Sequence, residues 1–132
     1  MNYRSLADMY DAITIGLGRL PDDIDLIVGV PRSGLIPANF LGLLLNLPIT
    51  DVEGLLEGRV MASGRTRRGA AINKTFADMK NVLVIDDSVF HGNSIRAVKA
   101  RLDAELDGYN LTYCAVFGPK ASHPDVDIVL DA

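Results

Sequence analysis

The sequence predicts an α/β protein with a doubly wound, mostly parallel five-stranded sheet and helices on both faces. Short apolar, β-branched segments alternate along the chain with segments whose apolar residues recur at helical spacing. Right-handed crossovers join such alternating elements, which makes the strands parallel and places helices on either face. The 132 residues suit a single core, so we assign residues 1–132 to one domain.

Each predicted element has its own signal. Apolar residues at helical spacing predict a first helix over Ser5–Leu17, with Gly18 as a stop signal. Two further helices are predicted over Leu35–Asn46, which is apolar nearly all round, and over the segment carrying Ile95, Val98, Leu102 and Leu106. Short apolar runs predict the strands Ile24–Val30, Leu47–Asp51, Asn81–Ile85, Leu111–Val116 and Val126–Leu130. Asp51–Ile72 has weak periodicity and several glycines, so we predict mostly loop there.

The composition indicates in which compartment the protein works and which classes of partner it excludes. Cys114 is the one cysteine in the sequence, which excludes a disulfide framework and is typical of a reducing compartment. No apolar run reaches the ~20 residues of a membrane span, and Met1–Arg19 carries acids where a signal peptide is apolar. The net charge of −4 argues against general nucleic-acid binding. We expect a cytoplasmic protein that binds neither membrane nor nucleic acid.

Charge is uneven along the chain. The window Arg59–Lys80 holds six basic residues and one acid, a local charge of +5 that leaves −9 for the remainder. One basic segment in an otherwise acidic protein is suited to binding a small polyanionic ligand. A solvated loop with a chance cluster of cations is the alternative interpretation.

The segment Asn81–Ser94 joins two acids to a helix start. Asp86 and Asp87 end an apolar strand, and a turn then leads into a helix that begins near Ser94. Backbone N–H groups at a helix N-terminus bind phosphate, and Gly92 lets the backbone approach an anion closely. Ionised carboxylates only accept hydrogen bonds, so sugar hydroxyls or hydrated Mg²⁺ are their natural partners. Together these features indicate a sugar phosphate site.

A second turn of this kind follows the first predicted strand. Gly29–Gly34 contains Arg32, whose guanidinium offers a fork of donors to phosphate oxygens, and it leads into a helix. Ligands of such sheets bind at the carboxyl ends of the strands, near the point where strand order reverses. Two phosphate-type turns about 50 residues apart, after strands expected to be neighbours, suit the two ends of one ligand.

These residues resemble a known signature. Val82–Ser94 is similar to the thirteen-residue signature of the type I phosphoribosyltransferases, in which two acids follow an apolar strand and precede a phosphate loop. The resemblance implies that Asp86 and Asp87 hold the ribose hydroxyls of phosphoribosyl pyrophosphate, and contact Mg²⁺ mostly through ribose or water. It further implies a pyrophosphate loop at Arg32, Ser33 and Gly34. The implied 5-phosphate loop comprises Ser88, Val89, Phe90, His91, Gly92, Asn93 and Ser94.

The implied reaction transfers the ribose 5-phosphate group to a nitrogenous base or related small acceptor and releases pyrophosphate. A mobile basic loop usually covers this reaction in the family, and its position here corresponds to Arg65, Arg67 and Arg68. Many family members are dimers, so a homodimer could complete the site. The family's acceptor-binding hood is expected to be minimal or absent, since the chain offers for it only Met1–Arg19 and Asp51–Gly58. A piece of a longer protein is the other explanation.

Other interpretations stay open. Receiver domains also pair acids after a strand, but there the pair follows the first strand, and here Ile24–Val30 ends in no acid. Asp86 and Asp87 could also only cap a helix. Phe90 and His91 stand where the family usually has small or hydroxyl residues. This departure favours a non-catalytic member that binds a nucleotide or phosphoribosyl pyrophosphate as a regulator or as a domain of a larger protein.

Overall fold

The computed structural model describes residues 5–60, 78–89, 93–118 and 124–131. The described helices are α1 (Leu6–Gly16), α2 (Leu35–Leu45), α3 (Val52–Glu57) and α4 (Asn93–Glu105), and a 3₁₀ turn at Leu17–Arg19 follows α1. The strands are β1 (Leu26–Gly29), β2 (Ile49–Asp51), β3 (Asn81–Ser88), β4 (Asn110–Phe117) and β5 (Ile128–Asp131). The predicted α/β class with five strands is confirmed.

All five strands are parallel, in the order β2-β1-β3-β4-β5. From β1 the chain crosses to β2 on one side and then returns to β3 on the other. The strand order therefore reverses between β1 and β3, which places the carboxyl ends of these two strands at the topological switch point. The carboxyl ends of β1 and β3 are neighbours in the sheet, as the sequence predicts.

Helices cover both faces of the sheet. Side chains alternate along the central strands, so Leu83 and Ile85 of β3 pack with α1 and α2, whereas Val82 and Val84 pack in the core on the opposite face. That opposite core also contains residues of α3 and α4. Burial on both faces explains why β1 and β3 read as continuous apolar runs rather than alternating ones. The predicted doubly wound arrangement is confirmed.

The first helix begins at a capping box. The Ser5 hydroxyl accepts a hydrogen bond from the Asp8 amide at 3.0 Å, and the Asp8 carboxylate accepts one from the Ser5 amide at 3.2 Å. These contacts satisfy two amide donors that the helix leaves unpaired. The predicted helix Ser5–Leu17 is thus confirmed, with Ser5 as its cap.

The prediction of loop after β2 is wrong for α3. The Asp51 carboxylate accepts a hydrogen bond from the Gly54 amide at 2.7 Å and caps the helix, and Gly58 ends it at φ +73°. Val52 and Leu55 fill the core on the α4 face, which stabilises a helix too short to form alone. The rest of the predicted loop, from residue 61 onward, lies outside the described residues.

Candidate active site

The acid pair lies within the last residues of β3 rather than after the strand. The strand continues through Ser88, where the sequence predicts its end at Ile85. Asp86 pairs in register with Ala115 of β4 and is 4% exposed. Its Oδ1 accepts a hydrogen bond from the Asp87 amide at 2.8 Å, and Oδ1 of the half-buried Asp87 accepts one from the Ser88 amide at 2.8 Å. Two carboxyl groups are therefore fixed side by side at the switch point.

Burial strongly perturbs one of these acids. The pKa of Asp86 is raised from 3.8 to about 7, mainly by loss of solvation and next by the neighbouring Asp87 carboxyl; the hydrogen bond from the Asp87 amide opposes this rise. A carboxyl with such a pKa is poised to lose its proton when a cation or a hydroxyl donor arrives. Strongly perturbed acids in a fold's ligand-binding crevice are candidates for function.

The Arg32 turn is built tightly against this pair. The Val30 amide donates a hydrogen bond to the Ile85 carbonyl at 2.9 Å, which joins the turn to the residue preceding Asp86. The Gly34 amide then donates to the Val30 carbonyl at 2.8 Å and closes the turn. A Cβ at Gly34 would collide with the Val30 carbonyl and lie 2.7 Å from the Ile85 carbonyl oxygen, so this close approach requires glycine.

The same turn presents its donors outward. Arg32 and Ser33 are exposed, and α2 begins immediately after Gly34, which caps the helix without a side-chain hydrogen bond. The Pro31–Arg32 peptide bond is cis. The backbone of this turn therefore lies next to the end of β3, and it carries the exposed Arg32 and Ser33 and leads into the N-terminus of α2.

The predicted turn between the strand and the next helix begins later than expected, because Ser88 still belongs to β3. Ser88 pairs with Phe117 as part of β3, and the Val89 amide donates a hydrogen bond to the Phe117 carbonyl at 3.1 Å. The Val89 side chain is buried and packs in the core that covers one face of the sheet. This correction has a physical cause: pairing with β4 extends β3 beyond its apolar run, and local sequence does not reveal that pairing.

The predicted start of a helix near Ser94 is confirmed. Helix α4 begins at Asn93, and Ser94 is exposed in its first turn. Phe90, His91 and Gly92 lie outside the described residues, as do Arg65, Arg67 and Arg68 of the basic segment.

The described ends of the basic window are engaged elsewhere. Arg59 forms an ion pair with Glu57 at 2.7 Å, and its carbonyl accepts a hydrogen bond from the buried Thr50 hydroxyl at 2.6 Å. The Lys80 ammonium lies 5.6 Å from the centroid of the Tyr109 ring. Arg59 and Lys80 thus contact Glu57 and Tyr109.

One ion pair near the site carries no sequence signal. Arg96 in the first turns of α4 binds Asp125 through two nitrogens, at 2.9 and 3.3 Å. Gly118 directly follows β4 and lies close to Val89. A Cβ added at Gly118 would be 3.0 Å from Cγ1 of Val89. Gly118 therefore lies against the residue that follows β3, and Asp125 lies against the first turns of α4. A separation of 29 residues between Arg96 and Asp125 makes the pair visible only in three dimensions.

Among the described ranges, no group of three or more His, Cys, Asp or Glu side chains could hold a metal ion. Within the same ranges, no helix is long and apolar enough to cross a membrane.

Comparison with known proteins finds similarity to phosphoribosyltransferases in sequence and in structure. No family model matches the chain. It is 36% identical over 118 residues to the amidophosphoribosyltransferase of Synechococcus elongatus, an alignment that covers 79% of this chain and 22% of that protein. The chain thus spans about a fifth of the length of this curated relative.

Solved structures share the fold. The xanthine-guanine-hypoxanthine phosphoribosyltransferase of Helicobacter pylori superposes with a TM-score of 0.63 at 20% identity, over 96% of this chain and 80% of that one. The orotate phosphoribosyltransferase of Aeropyrum pernix gives a TM-score of 0.55 at 22% identity, over 86% and 60% of the two chains.

Proposed function

We propose that the chain is a phosphoribosyltransferase, because it has the fold of the type I phosphoribosyltransferases and is 36% identical over 118 residues to an amidophosphoribosyltransferase. It moves the ribose 5-phosphate group of phosphoribosyl pyrophosphate to a small nitrogenous acceptor and releases pyrophosphate. One observation carries the proposal: the acid pair Asp86–Asp87 adjoins the Arg32 turn at the switch point, through the hydrogen bond between Val30 and Ile85.

The donor would lie across the two strand ends. The carboxylates of Asp86 and Asp87 accept hydrogen bonds from the ribose hydroxyls. Arg32, Ser33 and the Gly34 backbone donate to the pyrophosphate, while the N-terminus of α4 with Ser94 binds the 5-phosphate. Phe90, His91, Gly92 and Asn93 complete that loop in the proposal, and Ser88 and Val89 anchor it to β4.

The donor set also fits Mg²⁺ when substrate supplies further oxygens. Carboxylate oxygen is a preferred ligand of Mg²⁺, which retains several waters and binds through one or two carboxylates plus phosphates. Asp86 and Asp87 would hold the ion, mostly through ribose or water. When bound, the ion supplies positive charge that neutralises the pyrophosphate leaving group.

The residues of the chain act by position and charge. Displacement at the ribose C1 passes through a transition state with cationic sugar character, which the nearby carboxylates stabilise electrostatically. Arg32 stabilises the charge that develops on the departing pyrophosphate. Arg65, Arg67 and Arg68 are proposed to close over the centre and exclude water that would hydrolyse the donor.

The test is a pyrophosphate-release assay with phosphoribosyl pyrophosphate, Mg²⁺ and a panel of nitrogenous bases. Asp87→Asn should abolish release while circular dichroism and urea unfolding show an intact fold, because a charge-assisted contact of several kcal/mol is lost in the transition state. Asp22→Asn, at an exposed acid in the connection between α1 and β1, serves as the matched control. Unchanged release by Asp87→Asn would contradict the proposal.

A non-catalytic binding domain is the second candidate, favoured by Phe90 and His91 in the phosphate loop. It predicts binding of the donor by calorimetry without pyrophosphate release under any acceptor. The single-domain assignment of residues 1–132 and the cytoplasmic location stay predictions in either case.

A further inference from the structure

Two contacts join the chain between β4 and β5 to the chain between β3 and α4. Gly118, directly after β4, lies against Val89, directly after β3. Asp125, three residues before β5, binds two guanidinium nitrogens of Arg96 in the first turns of α4. The second contact is an ion pair between side chains, so its contribution can be measured by substitution.

The backbone that carries Asp125 is firmly attached to the sheet. Val126, the next residue, is buried in the core on the α4 face. The Asp127 amide donates a hydrogen bond to the Tyr113 carbonyl at 2.8 Å, and the Asp127 carboxylate accepts one from the Tyr113 amide at 2.8 Å. The Asp125 side chain, only 14% exposed, directly precedes these two attachments. Asp125 therefore offers Arg96 a partner at a fixed position.

Arg96 connects this fixed position to the start of α4. The helix begins at Asn93, so Arg96 lies about 4.5 Å along the helix axis from the first residue. Ile95 is buried in the core on the α4 face and holds the inner side of the helix start. Arg96 is the next residue, is exposed, and holds the outer side. The start of α4 is thus attached on two sides.

The stability of the isolated helix does not explain the position of Arg96. The helix macrodipole disfavours a cation near the N-terminus, so the guanidinium gains there only through Asp125. Two nitrogens on one carboxylate, at 2.9 and 3.3 Å, restrict both the distance and the orientation of the two groups. Arg101 on the same helix forms ion pairs with Glu53 of α3 and with Glu105, eight residues or more from the helix start. Only the Arg96 pair therefore holds the start itself, among the ion pairs of the described residues.

We propose that Arg96 and Asp125 are positioning residues for the 5-phosphate end of the donor. The inference rests on the proposed function, in which the N-terminus of α4 with Ser94 binds this phosphate. Hydrogen bonds from amides and a hydroxyl weaken steeply when their direction changes, so a small shift of the helix start weakens several of them at once. The charges of Arg96 and Asp125 offset each other, and the pair acts through the position of the helix rather than by attracting the phosphate.

Calorimetry with two separate probes tests the inference. Ribose 5-phosphate reports on the α4 end of the site, and magnesium pyrophosphate reports on the Arg32 turn. Arg96→Gln and Asp125→Asn should each weaken binding of ribose 5-phosphate about three- to tenfold and leave binding of magnesium pyrophosphate unchanged. The double variant should bind no more weakly than either single variant, because the two residues act as one unit. In the pyrophosphate-release assay, the KM for the donor should rise while kcat stays within about twofold.

Arg101→Gln is the matched control, because it also breaks ion pairs of α4 but far from the helix start. Equal weakening by Arg101→Gln would show a general loss of helix stability and overturn the inference. Tighter binding of ribose 5-phosphate by Asp125→Asn would also overturn it, since a released Arg96 would then contact the phosphate itself. Circular dichroism checks that the variants are folded.

The same measurements separate this inference from the proposed function. A wild type that binds ribose 5-phosphate and releases pyrophosphate, with unchanged affinity in Arg96→Gln, would overturn the inference and leave the function standing. A wild type that neither binds ribose 5-phosphate nor releases pyrophosphate would overturn both.

Discussion

Replacing Asp86 by asparagine should stabilise the free protein at neutral and alkaline pH. The asparagine side chain keeps an oxygen that can accept the 2.8 Å hydrogen bond from the Asp87 amide, so the change is nearly isosteric. It removes a charge that burial disfavours. The pKa of Asp86 rises from 3.8 to about 7 on folding, so ionising this carboxyl in the native state is costly.

The magnitude follows from linkage between protonation and folding. A rise of about three pKa units corresponds to at most about 4 kcal/mol at 1.36 kcal/mol per unit. Below pH 3.8 both states are protonated and the contribution vanishes. Between pH 3.8 and about 7 only the unfolded state is ionised, so the wild type loses stability as pH rises. Above about pH 7 the loss is complete and constant.

Urea unfolding of the two proteins at about pH 4.5 and about pH 8.5 measures this effect. We expect Asp86→Asn to exceed the wild type by about 2–4 kcal/mol at the higher pH and by clearly less at the lower pH. Asp22→Asn should show no comparable gap, since Asp22 is exposed. A gap that is equal at both pH values, or a less stable Asp86→Asn at the higher pH, would refute the reasoning.

Two further outcomes follow from the same geometry. Binding of the Mg²⁺ donor complex at about pH 7 should release up to about half a proton from Asp86, measured by calorimetry in buffers of different ionisation enthalpy. Asp86→Asn should release correspondingly less; equal release by both proteins would contradict the assignment. Gly34→Ala should cost about 1–3 kcal/mol in urea unfolding, because the new Cβ meets the Val30 and Ile85 carbonyls. Gly18→Ala has open space around its Cβ and should cost far less; equal losses would count against the tight turn.

Local sequence was sufficient where burial and periodicity act together. The strands β1 and β3 are buried on both faces, so their apolar runs are unambiguous. The acids at Asp86 and Asp87 and the glycine turn at Gly29–Gly34 stand next to those runs, which is why their placement at the ends of β3 and β1 could be predicted. Their mutual position then follows from the rule for parallel sheets.

The features that sequence missed depend on contacts between distant segments. Ser88 joins β3 because it pairs with Phe117, and Arg96 binds Asp125 across 29 residues. Helix α3 differs, because it had a local signal: Asp51 precedes Val52 as a cap, with Leu55 at helical spacing. Its six residues are too few for periodicity to outweigh Gly54 within them.

Among the described residues of the site, the charged groups form no ion pair with each other. In the part of the chain that the structure describes, the ion pairs join other residues, and none links Arg32 to Asp86 or Asp87. A direct pair would favour the ionised form of Asp86, whereas its pKa is raised. Under the proposed function, the acids need hydroxyl donors or a cation, and Arg32 needs an anion. A simple phosphate meets only the second need and would be repelled by the acids. A sugar bearing a pyrophosphate, together with a divalent cation, meets both at once, so the separation of charges favours the donor complex over its phosphate fragments.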